Sequence, residues 1–188
     1  MTLLFPKPYA DFVARLRVPC GFVLVAAFAW FSHPDARSLG YGLPVSAAGL
    51  LVRAWAAGNL AKNQTLATGG PYAYTRNPLY LGTLLVAAGL AMAARSVGLG
   101  LLFAVVFVGI YLPVIQLEQQ HLRSLFPDYA AYASRVPVLL PRLTGIATTG
   151  GEPRAFRWSL YVKNREYQAA MGFAAGACFL LCKLFWRL

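Results

Sequence analysis

The 188-residue sequence is 59% hydrophobic and only 12% charged, about half the charged share of roughly 25% in an ordinary soluble domain. The apolar residues come in long blocks, which excludes an ordinary soluble domain and points to an integral membrane protein. The formal charge of +11 does not indicate nucleic acid, because the basic residues lie mostly between the apolar blocks, where they can face anionic lipid headgroups.

Five spans are predicted, giving an all-α, polytopic membrane protein of one embedded domain. The first covers residues 18–31. Lys7, Arg15 and Arg17 precede it as in a signal peptide, but FSHPDAR and a second apolar run follow at once, without a small-x-small cleavage site. The expectation is therefore an uncleaved first span. The second, residues 39–57, is interrupted by Gly42, Pro44 and Arg53. The third and fourth, residues 79–94 and 97–117, are separated only by Arg95 and Ser96, which predicts a tight helical hairpin over 79–117. The fifth covers residues 167–185, with Gly172 and Gly176 as a small-residue packing face.

Between the fourth and fifth spans, TGIATTGGEP reads as a flexible connector. AFRWSLYVKNREY mixes aromatics with cations and reads as an interfacial helix, with a solvated linker as the alternative. Cys20, Cys178 and Cys182 lie in apolar segments without zinc-site spacing and are expected to be packing residues, with no metal site. With a cytoplasmic N-terminus, every Lys and Arg except Arg37, Arg95, Lys183 and Arg187 falls on the cytoplasmic side. That orientation gathers the polar chemistry on one face.

On that face lies GGPYAYTRNPLYLG, residues 69–82. Gly69-Gly70-Pro71 and Asn77-Pro78 are turn signals. Pro78 suits the first turn of a helix and Asn77 its N-cap. Arg76 then stands at the positive end of a membrane helix, able to offer its fork to a carboxylate or phosphate. The plainer alternative has Arg76 snorkelling to lipid phosphates while Tyr72, Tyr74 and Tyr80 form an aromatic belt. Glu118, placed at the end of the hairpin, returns to the same face and meets the unfavourable end of its helix dipole, so Arg76, solvent or a cationic ligand must compensate. The downstream Leu122, Leu125, Phe126, Tyr129 and Tyr132 are expected to lie along the surface beside the hairpin, until Pro137 and Pro141 end the run.

GPYAYTRNPLYLG resembles the GPY…RHPxYxG signature of the isoprenylcysteine carboxyl methyltransferase family and related bacterial membrane methyltransferases, which include phospholipid methyltransferase-like proteins. Those families continue with a helical hairpin, a Glu-Glu pair, a leucine, Phe-Gly, spaced tyrosines and Arg-Val-Pro. The corresponding residues are Glu118-Gln119, Leu122, Phe126-Pro127, Tyr129, Tyr132, Arg135-Val136-Pro137 and Pro141, with Arg53, Trp55, Ala56 and Lys62 upstream. Three departures stand out: Asn77 replaces histidine, Gln119 replaces the second glutamate, and Phe-Pro replaces Phe-Gly.

The resemblance implies a methyltransferase-like core over residues 40–142, a connector and interfacial helix over 143–166, and an additional C-terminal span. It implies S-adenosylmethionine as methyl donor, bound by Tyr72, Arg76, Asn77, Pro78, Tyr80, Glu118 and Tyr129, with Arg76 and Glu118 the pair on which catalysis depends. Arg76 suits the methionine carboxylate and Glu118 the ammonium or ribose hydroxyls. The acceptor it implies is lipophilic: a prenylcysteine-like carboxylate, a lipid headgroup, or another apolar small molecule. The implied location is a bacterial inner membrane. A nicotinamide-dependent reductase of the sterol-reductase type and a small transporter or non-enzymatic membrane protein are the rival classes.

Overall fold

The computed structural model describes residues 4–145 and 155–186, whose regular elements are all helices, with no strand among the described residues. The order is α1 (Lys7–Phe31), α2 (Ala36–Asn59), a 3₁₀ turn (Gly70–Ala73), α3 (Pro78–Ala93), α4 (Val97–Val106), a π-helical turn (Phe107–Tyr111), α5 (Leu112–Leu125), α6 (Tyr129–Arg135), α7 (Trp158–Lys163) and α8 (Tyr167–Trp186). Most of the expected connector, residues 146–153, lies outside the described residues, as does Arg187.

Three helices are long and apolar enough to cross a membrane: Lys7–Phe31, the continuous rod Val97–Leu125, and Tyr167–Trp186. α3 is a shorter apolar helix of 16 residues, and α2, with 24 residues, carries Pro44 and Arg53 within it. Each predicted span thus coincides with a helix, while length and apolarity single out three. α1 and α8 expose large apolar side chains, among them Phe22, Val25, Trp30, Met171 and Phe185, as lipid-facing helices do. Cys178 and Cys182 belong to that exposed surface of α8, whereas Cys20 is half-buried. The first reading of all three as packing residues therefore fits only Cys20.

The principal partner of α3 is α2, rather than α4. A Cβ on Gly42 would lie 2.3 Å from the backbone nitrogen of Ala93, and one on Gly49 would lie 2.7 Å from the Gly82 carbonyl oxygen. A Cβ on Gly89 would meet Ser46 Oγ at 2.3 Å. These small residues let two antiparallel backbones touch, the usual means of close association where no hydrophobic force separates helix from lipid. Ser46 Oγ donates across the contact to the Val86 carbonyl at 2.9 Å. At the far end, Asp35 accepts from Ser38 N at 2.7 Å and Ser38 Oγ donates to the Ala93 carbonyl at 2.9 Å. The backbone N–H of Ser38 holds the exposed Asp35 carboxyl below its usual range.

Residues 94–96 connect α3 to α4, with Arg95 left-handed at φ 52° and Ser96 capping α4 through Leu99 N at 3.3 Å. The π-helical turn follows from Pro113, which has no N–H for the Gly109 carbonyl. Tyr9 Oη of α1 donates to that carbonyl instead, at 2.8 Å. The rod continues unbroken to Leu125, so Glu118 lies about two turns inside it rather than at its end. The expected clash with the helix dipole therefore does not arise, because the effect is confined to the last turn.

Candidate functional site

The loop between α2 and α3 is held by the segment after α6. Tyr132 Oη donates to the Tyr72 carbonyl at 2.7 Å, and Arg76 N donates to the Pro137 carbonyl at 2.9 Å. Thr75 Oγ1 donates to the Leu139 carbonyl at 3.0 Å, and Arg142 N to the Tyr74 carbonyl at 3.1 Å. Pro137 and Pro141 keep this segment out of a helix, which leaves its carbonyls free to accept. Gly70, at φ +58°, makes the turn beneath Asn59, where a Cβ would come within 3.0 Å of the Asn59 side chain.

Asn77 occupies the N-cap position of α3, but its side chain does not cap the helix. Its Nδ2 donates instead to the Val138 carbonyl at 2.8 Å, so the residue ties the two segments together. Pro78 at the first helical position removes one of the donors that a cap would serve. Leu122 and Phe126 pack against buried Tyr129, Tyr132 and Val136. Of the stretch expected along the membrane surface, Leu122, Phe126, Tyr129 and Tyr132 thus form a small core behind the site, while Leu125 is exposed.

Between these segments lies a cavity of about 820 Å³, within the roughly 300–1,000 Å³ common for small-molecule sites. All seven residues singled out in the sequence, Tyr72, Arg76, Asn77, Pro78, Tyr80, Glu118 and Tyr129, line it. Arg17, Arg53, Lys62 and Arg76 supply positive charge to its wall, against Glu118 and Glu166.

Of the three compensations left open for Glu118, Arg76 is not the partner found. Arg76 Nη1 donates to Gln119 Oε1 at 3.1 Å, while Glu118 Oε1 accepts from Tyr80 Oη at 2.9 Å. Arg76 Nε and Tyr129 Oη are buried without a partner at full hydrogen-bond geometry among the described residues, though the guanidinium stands close enough to act on the Tyr129 hydroxyl. Buried donors of this kind are normally satisfied, so an orphaned pair at a cavity wall marks a place for a ligand acceptor. Burial pushes the Tyr129 phenol up, against the pull of the nearby Arg76 guanidinium. Burial likewise raises the Tyr72 and Tyr132 phenols. These three remain neutral, donating hydroxyls at physiological pH.

Sequence reading missed the contribution of the segment before α8. Phe156 covers Gly58, where a Cβ would come within 2.2 Å of its ring, and Arg157 N donates to the Gly58 carbonyl at 3.0 Å. Asn164 Nδ2 donates to the Ala57 and Leu60 carbonyls, both at 2.9 Å, satisfying the end of α2. This docking brings Glu166 to Arg53 as an ion pair inside the cavity. Arg53 also donates to Thr83 Oγ1 and, at 3.4 Å, to the Leu79 carbonyl. The available signal was the single acid Glu166 beside Arg157, Lys163 and Arg165, in a stretch whose mix of aromatics and cations predicted an interfacial helix. No cluster of three or more His, Cys, Asp or Glu suited to a metal occurs among the described residues.

The chain is a helical membrane protein with a polar cavity between two loop segments. The family model for phospholipid methyltransferase matches residues 20–129. The chain belongs to that family. It is 42% identical over 83 residues to the cobalt-zinc-cadmium resistance protein CzcN of Cupriavidus metallidurans, covering 44% of this chain and 38% of that one. It is 31% identical over 151 residues to the nickel-cobalt-cadmium resistance protein NccN of Alcaligenes xylosoxydans xylosoxydans, covering 74% and 71%. The chain therefore spans well under half of the first relative and about seven-tenths of the second. No solved structure matches.

Proposed function

We propose that the chain transfers a methyl group from S-adenosylmethionine to a lipophilic acceptor at the cytoplasmic face of a bacterial inner membrane. The observation that carries this reading is the orphaned, buried Arg76 Nε beside the orphaned Tyr129 Oη, on the wall of a cavity that all seven candidate residues share. A methionine carboxylate suits these two donors. Glu118, with Tyr80 donating to it, suits the ammonium or the ribose hydroxyls. Pro78 and Asn77 shape the helix start that the donor lies against, and Tyr72 contributes to the wall. Bound there, the sulfonium would supply an activated methyl group. The residues of the chain need only hold the acceptor in line with it, so positioning supplies most of the rate.

The acceptor reaches the cavity from the lipid phase and carries either a carboxylate, as in a prenylcysteine, or a lipid headgroup. Five crossings with a cytoplasmic N-terminus accord with the distribution of Lys and Arg. The short α3 and the polar α2 then cross as a pair, shielded by the longer helices. Family membership favours methyl transfer over nicotinamide-dependent reduction. The two relatives are metal-resistance proteins by name, which offers metal resistance as the physiological setting.

The test is isothermal titration of the purified protein with S-adenosylhomocysteine, wild type beside Arg76→Ala and Glu118→Ala. Wild-type binding that is lost or strongly weakened in both variants is expected. A folded wild type that does not bind would overturn the reading, and binding unchanged in both variants would overturn the site.

A further inference from the structure

We infer that Glu166 is a specificity-determining residue, which neutralises Arg53 at the deep end of the cavity and so turns away acceptors with an anionic headgroup. The inference rests on the methyltransferase reading only in calling the second ligand an acceptor, and of the acceptors named above it disfavours the prenylcysteine-like carboxylate.

Arg53 lies six residues before the end of α2, roughly 9 Å below it at 1.5 Å per residue. Thr83 lies five residues into α3, roughly 7.5 Å below its start by the same rise. The Arg53 guanidinium meets α3 between the Leu79 carbonyl and Thr83 Oγ1, inside the helix that Arg76 and Asn77 only precede. A headgroup on an apolar chain that arrives from the bilayer meets the Arg53–Glu166–Thr83 cluster, while the donor occupies the Arg76 end.

Arg53 alone would make that depth an anion site. A guanidinium mostly shielded from water and facing a cavity is a strong receptor for a carboxylate. Glu166 removes this possibility. Its side chain is 8% exposed and that of Arg53 is 22% exposed, so the pair is poorly screened, and the guanidinium is further engaged by Thr83 and the Leu79 carbonyl. A second carboxylate would have to displace Glu166, leaving a buried anion without its partner, or approach it as a like charge. An uncharged polar headgroup meets neither obstacle.

Glu166 lies beyond the residues matched by the family model, 20–129. The docking of Asn164 on the Ala57 and Leu60 carbonyls and of Arg157 on Gly58 puts it in place. The C-terminal segment thus acts as a selectivity element outside the residues matched by the family model.

The test measures headgroup preference directly. Radiolabelled tetradecanoate and tetradecanol are bound at pH 8.5 to the full-length protein in nanodiscs of zwitterionic lipid, with scintillation proximity as the readout. Wild type, Glu166→Gln, Arg53→Gln and the double variant are compared. Wild type is expected to favour tetradecanol. Glu166→Gln should raise the relative affinity for tetradecanoate about tenfold, Arg53→Gln should lower it, and the double variant should behave as wild type. Binding of S-adenosylhomocysteine and a cooperative thermal transition establish that each variant is folded. If Glu166→Gln does not fold, the opposite shift in Arg53→Gln carries the test. A ratio unchanged in the folded variants, or a gain that persists in the double variant, would overturn the inference. Failure of wild type to bind S-adenosylhomocysteine would instead count against the methyltransferase reading, since headgroup preference is read without it.

Discussion

Arg76 is held by Gln119, through a hydrogen bond from Nη1 to Oε1 of 3.1 Å, and Gln119 stands where related families carry a second glutamate. A neutral amide fixes the guanidinium without cancelling its charge. With a carboxylate in that position, Arg76 would form an internal ion pair that any anionic ligand must compete with.

Gln119→Glu is accordingly expected to weaken S-adenosylhomocysteine binding about tenfold, an internal ion pair replacing part of the ligand's charge-assisted bond. Titration calorimetry in detergent measures it. Tighter or unchanged binding would show that the charge of Arg76 is not what the ligand meets.

The α2–α3 contact leaves no room at Gly42. Adding a methyl group there would bring it within 2.3 Å of Ala93 N and 2.4 Å of the Gly89 carbonyl oxygen, both backbone atoms. Gly42→Ala should cost roughly 1–3 kcal/mol, seen as a lower thermal midpoint. Gly40→Ala, where nothing lies within 4 Å, is the matched control. It should be neutral or stabilising by up to about 1 kcal/mol.

Asn164 satisfies two carbonyls at the end of α2 from across the chain. Asn164→Ala leaves both without this donor and should lower stability by about 1–3 kcal/mol. It should also loosen Glu166, two residues on. A thermal midpoint equal to that of wild type would remove the segment from the fold's support.

Burial raises the phenols of Tyr72, Tyr129 and Tyr132 above the usual value of 10.0. The folded state therefore keeps protons that the unfolded chain gives up. Their contribution is complete below pH 10 and declines as pH rises past it toward the folded values. Thermal midpoints should fall with increasing pH above 10. Tyr132→Phe should flatten that slope, at a cost of about 1 kcal/mol at neutral pH for the bond to the Tyr72 carbonyl. An identical slope in the variant would remove Tyr132 from the effect.

The sequence by itself determined the membrane class, because long apolar blocks leave few alternatives, and it located the helices, whose backbone hydrogen bonding is local. It also determined the composition of one wall of the cavity. GPYAYTRNPLYLG and the Glu118–Tyr132 region are contiguous motifs, and a contiguous motif is legible without a fold. Only the tertiary structure decided the pairings. Arg76 meets Gln119 rather than Glu118, since a helix that continues to Leu125 turns neighbouring residues about 100° apart. The partnership of α2 with α3 rests on glycines whose meaning lies in what they face, and alternation along one helix does not name the other. Glu166 was beyond reach for the same reason. Its carboxylate matters through Arg53, 113 residues earlier, and the two meet only because Asn164 and Arg157 dock the segment on the end of α2.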